Sequence, residues 1–185
     1  MNIMSLMTQA MPDRRSLGAP VLLSTQSNVV ANLHRIDIQW GVERTTAMPV
    51  DQTISAWVRQ ILAILNEAPA EITIRIVSEE EITELNGRFR DKPRPTNVLS
   101  FPVGVEDEEA ITILGDVVLC AGVVIAEAAE QNKALEMHFA HMVVHGVLHL
   151  KGYDHVQDNQ AEQMELLERN IMGHLGYPDP YQEDN

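Results

Sequence analysis

The apolar run from Met137 to Leu150 carries His145 and His149 near its end, and Gly152 and His155 follow directly. No other stretch limits the possible folds as much. If the run is a helix, two imidazoles four residues apart project from one face, one turn apart, and both can grip a single ion. Gly152 can end that helix and take a positive φ, which turns the chain back so that His155 approaches from a third direction. Three imidazoles suit zinc, and three protein ligands leave the fourth tetrahedral position to water, as in catalytic rather than structural sites. The expected ligand set is therefore His145, His149 and His155, with one Zn2+ per chain. The plainer alternative is histidines that carry no metal.

The spacing also matches the long zincin motif H-E-x-x-H-x-x-G-x-x-H, in which the residue after the first histidine is the glutamate that serves as general base. Here that position is Gly146. Glycine takes no proton, so peptide or amide hydrolysis is the weaker alternative. Two further histidines, His138 and His141, precede the pair on the same helix. His141 either orients a ligand from behind or is an interior polar side chain with its own partner. Asp154 either hydrogen-bonds a ligand imidazole or caps its loop.

Charge limits the partners. The 185 residues hold 27 acidic against 13 basic side chains, a net charge of -14, which opposes indiscriminate nucleic-acid or DNA binding because phosphate contacts need cations. Any RNA site must be local. Arg88, Arg90, Lys92 and Arg94 form one basic concentration, opposed only by Asp91. No apolar segment approaches the roughly 18 to 20 residues that span a bilayer. Arg14 and Arg15 precede an apolar run, Ala19 to Leu23, that is too short for a signal-peptide core. Cys120, the single cysteine, is expected to be buried and inert, and the chain to be cytoplasmic.

Periodicity predicts one domain over residues 33–178, a flexible extension over 1–32 and an acidic, loose tail over 179–185. His34 to Trp40 alternates as a first strand with His34 at the surface, and Glu71 to Val77 is a second. Asn97 to Pro102 is a third strand, placed at an edge by its proline, and Ile111 to Cys120 is a fourth around Gly115. Asp51 to Asn66 is an amphipathic helix with Ile54, Trp57, Val58, Ile61, Leu62 and Leu65 inward. Ser78 and Glu81 predict a capping box opening a helix to about Phe89, with Arg90 at its end. Gly122 to Glu130 and Leu135 to Leu150 are helices. So is Asp158 to Met172, with Met164, Leu167 and Ile171 inward and Glu162, Glu165 and Glu168 outward.

Four separated tracts resemble one family: H-G-V-L-H-L-K-G-Y-D-H from His145, the preceding A-H-M-V-V, L-N-G-R-F-R-D-K-P-R-P-T-N-V-L-S-F-P from Leu85, and L-G-D-V-V from Leu114. They are similar to the YbeY family of bacterial ribosomal-RNA maturation endoribonucleases, and the likeness runs from about Ile36 to Tyr181. It implies an α+β domain with a mixed sheet of about four strands, packed with about five helices, one of them a zincin-like helix bearing the metal site. It also implies a single-strand-specific, metal-dependent endoribonuclease acting on the 16S rRNA 3′ end and in ribosome quality control, with the small subunit as partner and no membrane. Carried over by position, His145, His149 and His155 are the zinc ligands, and Arg90 and His145 are the catalytic residues. Arg88, Lys92, Asn97 and Ser100 are expected to contact substrate, although some members have Asp where this chain has Asn97. A ribosome-assembly factor without catalysis is the remaining alternative.

Overall fold

The computed structural model describes residues 33–106, 111–154 and 158–182. Four strands form one mixed sheet. They are β1 (Arg35–Trp40), β2 (Ala70–Val77), β3 (Val98–Glu106) and β4 (Thr112–Cys120), in the spatial order β1-β2-β4-β3. The first three in that order run parallel, and β3 runs antiparallel to β4 along the edge. Ile72, Ile74 and Ile76 alternate with Glu71, Thr73 and Arg75, so β2 turns one fully apolar side toward the main core.

Helices α1 (Asp51–Ile64) and α4 (Leu135–Leu150) cover that side, with α1 contributing the buried stripe Ile54, Trp57, Val58, Ile61 and Leu62. Helix α2 (Glu79–Arg90) lies toward the other face, over a smaller cluster of Val77, Ile82, Leu99, Val118 and Cys120, while α3 (Ala121–Glu130) packs chiefly against α4 and gives Ala121 and Val124 to the main core. Helix α5 (Asp158–His174) packs against α4. The expected α+β architecture of four strands and five helices is what the described residues form. Cys120 is fully buried, and burial raises its thiol above the ordinary range, as an inert cysteine requires.

Several local expectations are corrected. The third strand continues past Pro102 to Glu106, because an edge strand needs hydrogen-bond partners on one side only and its register shifts between Pro102 and Val105. His34 is buried, not superficial: its Nδ1 accepts from the Ala70 amide at 3.2 Å, and burial lowers its pKa. The capping box is half made. Ser78 Oγ accepts from the Glu81 amide, while the Glu81 carboxylate turns to Arg75 Nε at 2.9 Å. The tail is not loose where it leaves α5. Lys133 Nζ donates to the Pro180 carbonyl at 2.7 Å and Arg169 pairs with Asp179 at 3.3 Å. The extension 1–32 lies outside the described residues, and no described helix is long and apolar enough to cross a membrane.

Candidate active site

Helix α4 is the centre of the domain, and its burial locates the site. From Met137 to Leu150 every residue is buried except His145 and His149. A helix covered on nearly all sides is a core element, so these two side chains are where it opens to solvent. Their Nε2 atoms are 3.0 Å apart, with ring centroids at 4.5 Å and planes at 76°. Two ring nitrogens bound to one tetrahedral ion at about 2.0–2.1 Å would be about 3.3 Å apart, so the pair fits one metal ion with little adjustment.

Helix α4 ends as its glycine predicts. Gly152 takes φ +84°, its amide donates to the His149 carbonyl at 3.0 Å, and the Tyr153 amide donates to Leu148 at 3.1 Å. This is a Schellman closure, which satisfies the last carbonyls and turns the chain sharply. His155 lies beyond that turn and outside the described residues. Among the described residues, no group of three His, Cys, Asp or Glu is placed to hold a metal ion.

Gly146 has a steric explanation that its motif position concealed. A Cβ there would lie 2.4 Å from Val117 Cγ1, so the backbone of α4 approaches β4 too closely for any side chain. The Ser100 hydroxyl donates to the Gly146 carbonyl at 3.0 Å and ties β3 to the same point. The residue after the first histidine therefore faces the sheet, and a glutamate there would enter the core. Gly146→Ala is expected to lower the unfolding free energy by about 1–3 kcal/mol, the usual cost of overpacking, although alanine is the better helix former. Combination with Val117→Ala should lose less than the sum of the two single changes. Strictly additive losses in denaturant unfolding would place the clash elsewhere.

Behind His145 lies a residue that periodicity placed wrongly. Glu168 was expected to face solvent, yet it is fully buried and its Oε1 is 2.8 Å from His145 Nδ1. The signal was present in the sequence: Met164, Glu168, Ile171 and Met172 fall on one helical stripe, and the structure buries all four. Tyr181 donates its hydroxyl to the other carboxylate oxygen, Oε2. His141 Nε2 stands 3.6 Å from the same oxygen, beyond hydrogen-bond range, and neither of its ring nitrogens has a hydrogen-bond partner among the described residues. Burial alone would raise the Glu168 carboxyl, but the neighbouring His141, His145 and Tyr181 outweigh it and bring it down to about 2.

Opposite the histidines, the end of α2 and the start of β3 form the other wall of a cleft of about 720 Å³. Arg90, Lys92, Arg94, Asn97 and Ser100 line it together with His145 and His149. Asp154 is the only acidic residue among the described lining residues. Against a chain of net charge -14, this is a local reversal of sign. Asp91 ends α2 in the left-handed conformation, φ 56°, and Asn86 Nδ2 holds the following loop by donating to the Arg94 carbonyl at 2.8 Å. Arg90 Nη2 donates to the Ser100 carbonyl at 3.3 Å, and the residue is exposed.

The remaining predicted contacts are placed less simply. Arg88 does not line the cleft; its guanidinium lies 5.1 Å from the Phe89 ring centre. The Asn97 amide donates to Glu127 at 3.2 Å, and Glu127 also meets His138 Nε2 at 2.9 Å, so His138 serves the wall rather than the histidine pair. Arg94 and Tyr153 line the cleft without having been singled out as substrate contacts.

A basic cleft with imidazoles on its floor is an arrangement suited to hydrolysis of a polyanion, since cations hold the phosphates while a metal or oriented donor meets the developing charge. Residues 41–176 match the family described as Endoribonuclease YbeY. The chain belongs to that family. Two curated relatives named Endoribonuclease YbeY, from Pseudomonas putida strains F1 and W619, are 50% and 49% identical over 150 residues, covering 80% of this chain and 94% of theirs. The solution structure of a Thermotoga maritima protein is similar at 28% identity and a TM-score of 0.49, covering 80% of this chain and 99% of that one.

Proposed function

We propose that this chain is a single-strand-specific, zinc-dependent endoribonuclease that matures the 16S rRNA 3′ end and takes part in ribosome quality control in the cytoplasm. The observation that carries it is the convergence, in one cleft, of two half-buried histidines of an otherwise buried helical run with Arg90, Lys92 and Arg94. Family membership supplies the reaction class, and imidazole donors favour zinc over the harder cations.

His145, His149 and His155 would hold one zinc ion per chain, which when bound supplies Lewis acidity at the scissile phosphate. Arg90 neutralises charge that develops on the phosphoryl oxygens in the transition state. Lys92 holds flanking phosphates, and Arg88 extends the cationic track outside the cleft. Asn97 and Ser100 meet the strand as parts of the wall, their bonds to Glu127 and Gly146 fixing where that wall stands. An open groove admits one strand with its bases splayed more readily than a stiff duplex, consistent with preference for single-stranded RNA. No glutamate base is required, in keeping with a glycine that faces the sheet.

Incubation of defined single-stranded RNA and a peptide panel with zinc-loaded and chelated protein tests this. RNA should be cut, peptides left whole, and cutting abolished by chelation and restored by zinc. Peptide hydrolysis would favour an amide hydrolase. Intact RNA with folded, loaded protein would favour an assembly factor without catalysis. A 2′,3′-cyclic phosphate on the product would identify the ribose hydroxyl, not water, as the nucleophile.

A further inference from the structure

Glu168 is a carboxylate with no access to solvent, and each of its oxygens has a specific neighbour: His145 Nδ1 at 2.8 Å from Oε1, and the Tyr181 hydroxyl on Oε2. An ionised carboxylate only accepts hydrogen bonds, so the proton of a neutral His145 must sit on Nδ1. The lone pair then sits on Nε2, the atom 3.0 Å from His149 Nε2. Tyr181 is itself fixed from three sides. Its ring lies 4.8 Å from the Arg169 guanidinium and 5.4 Å from the His141 ring, while Lys133 grips the preceding Pro180 carbonyl.

We propose that Glu168 and Tyr181 are positioning residues, a buried carboxylate held by a C-terminal clamp, that fix His145 in the tautomer and orientation needed to bind the metal. The role rests on the metal-site reading above. A carboxylate on the far nitrogen raises the basicity of the ligating one and stops the ring from turning, and loss of such a partner typically costs 10–100-fold in metal affinity. Tyr181 acts on His145 through Glu168. By removing one of the two acceptor positions from competition, its hydroxyl leaves Oε1 pointing at the imidazole.

Three variants test this in protein labelled with 15N-histidine, where the ring spectra of the metal-free form report the tautomer and dye competition reports zinc affinity. Wild type should show His145 protonated on Nδ1. Glu168→Met keeps the volume but has no oxygen to accept the proton, so the Nε2-protonated form should appear and zinc affinity should fall about 10–100-fold. Glu168→Gln retains an acceptor without the charge. It should preserve the tautomer while weakening zinc by roughly tenfold, a split that loss of packing alone would not produce. Tyr181→Phe should keep the tautomer and weaken zinc by a smaller factor.

A folded Glu168→Met with the wild-type tautomer and zinc affinity overturns the proposal. If neither Glu168 variant folds, Tyr181→Phe decides, and zinc affinity equal to wild type overturns the clamp. Wild type that takes up no zinc, combined with a tautomer that changes in Glu168→Met, upholds the positioning and removes the metal reading instead.

Discussion

Arg90→Ala should lower single-stranded RNA cleavage by roughly 10²-fold or more while zinc content and fold are retained, the scale seen when one oriented charge-stabilising donor is lost. The structure separates this from a stability effect. Arg90 is the last residue of α2 and is exposed, and its one long bond to the Ser100 carbonyl, 3.3 Å, contributes on the order of 1 kcal/mol or less. Lysine should rescue little, because a point charge lacks the planar fork that meets two phosphate oxygens together. Arg88→Ala supplies the contrast: lying outside the cleft, it should weaken RNA binding in a salt-dependent way and leave turnover nearly unchanged. Wild-type turnover of saturating RNA by metal-loaded Arg90→Ala would reduce the basic loop to a docking surface.

The second large effect is expected at His149. His149→Ala should lose bound zinc, from about one per chain to a small fraction of that, and RNA cleavage should go with it, since two imidazoles do not complete a three-ligand site. Folding should survive. His149 is one of the two positions between Met137 and Leu150 that reach solvent, and the backbone carbonyl that accepts from Gly152 is unchanged by the substitution. The sharpest readout is thermal. Zinc at 100 times its Kd should stabilise wild type by about 2.7 kcal/mol and leave the variant where it melts without metal. Full zinc occupancy in His149→Ala would remove that residue from the ligand set.

The expectations that the structure bears out rest on strong local signals. The β2 alternation of three isoleucines, the α1 stripe and the glycine stop after α4 each tie a residue type to a periodicity or to a backbone conformation. The misplaced residues are polar ones whose burial depends on a distant partner. His34 enters the core because the Ala70 amide awaits it, and Glu168 does so because His145 and Tyr181 meet it from other elements. Hydropathy assigns such side chains to the surface by default. Gly146 shows the converse: its place in a zincin pattern invited a chemical explanation, whereas its cause is the distance from α4 to Val117, which no spacing along the chain encodes.

The near-complete burial of α4 bears on how the site can fail. The backbone that carries His145 and His149 runs through the same packed layer that holds the sheet to α1 and α5, so it cannot shift or fray separately from the domain. In hydrogen-exchange terms, the amides of this segment belong with the slowest, which open only when the whole molecule does. Heat or denaturant should therefore part His145 from His149 only as the whole fold opens.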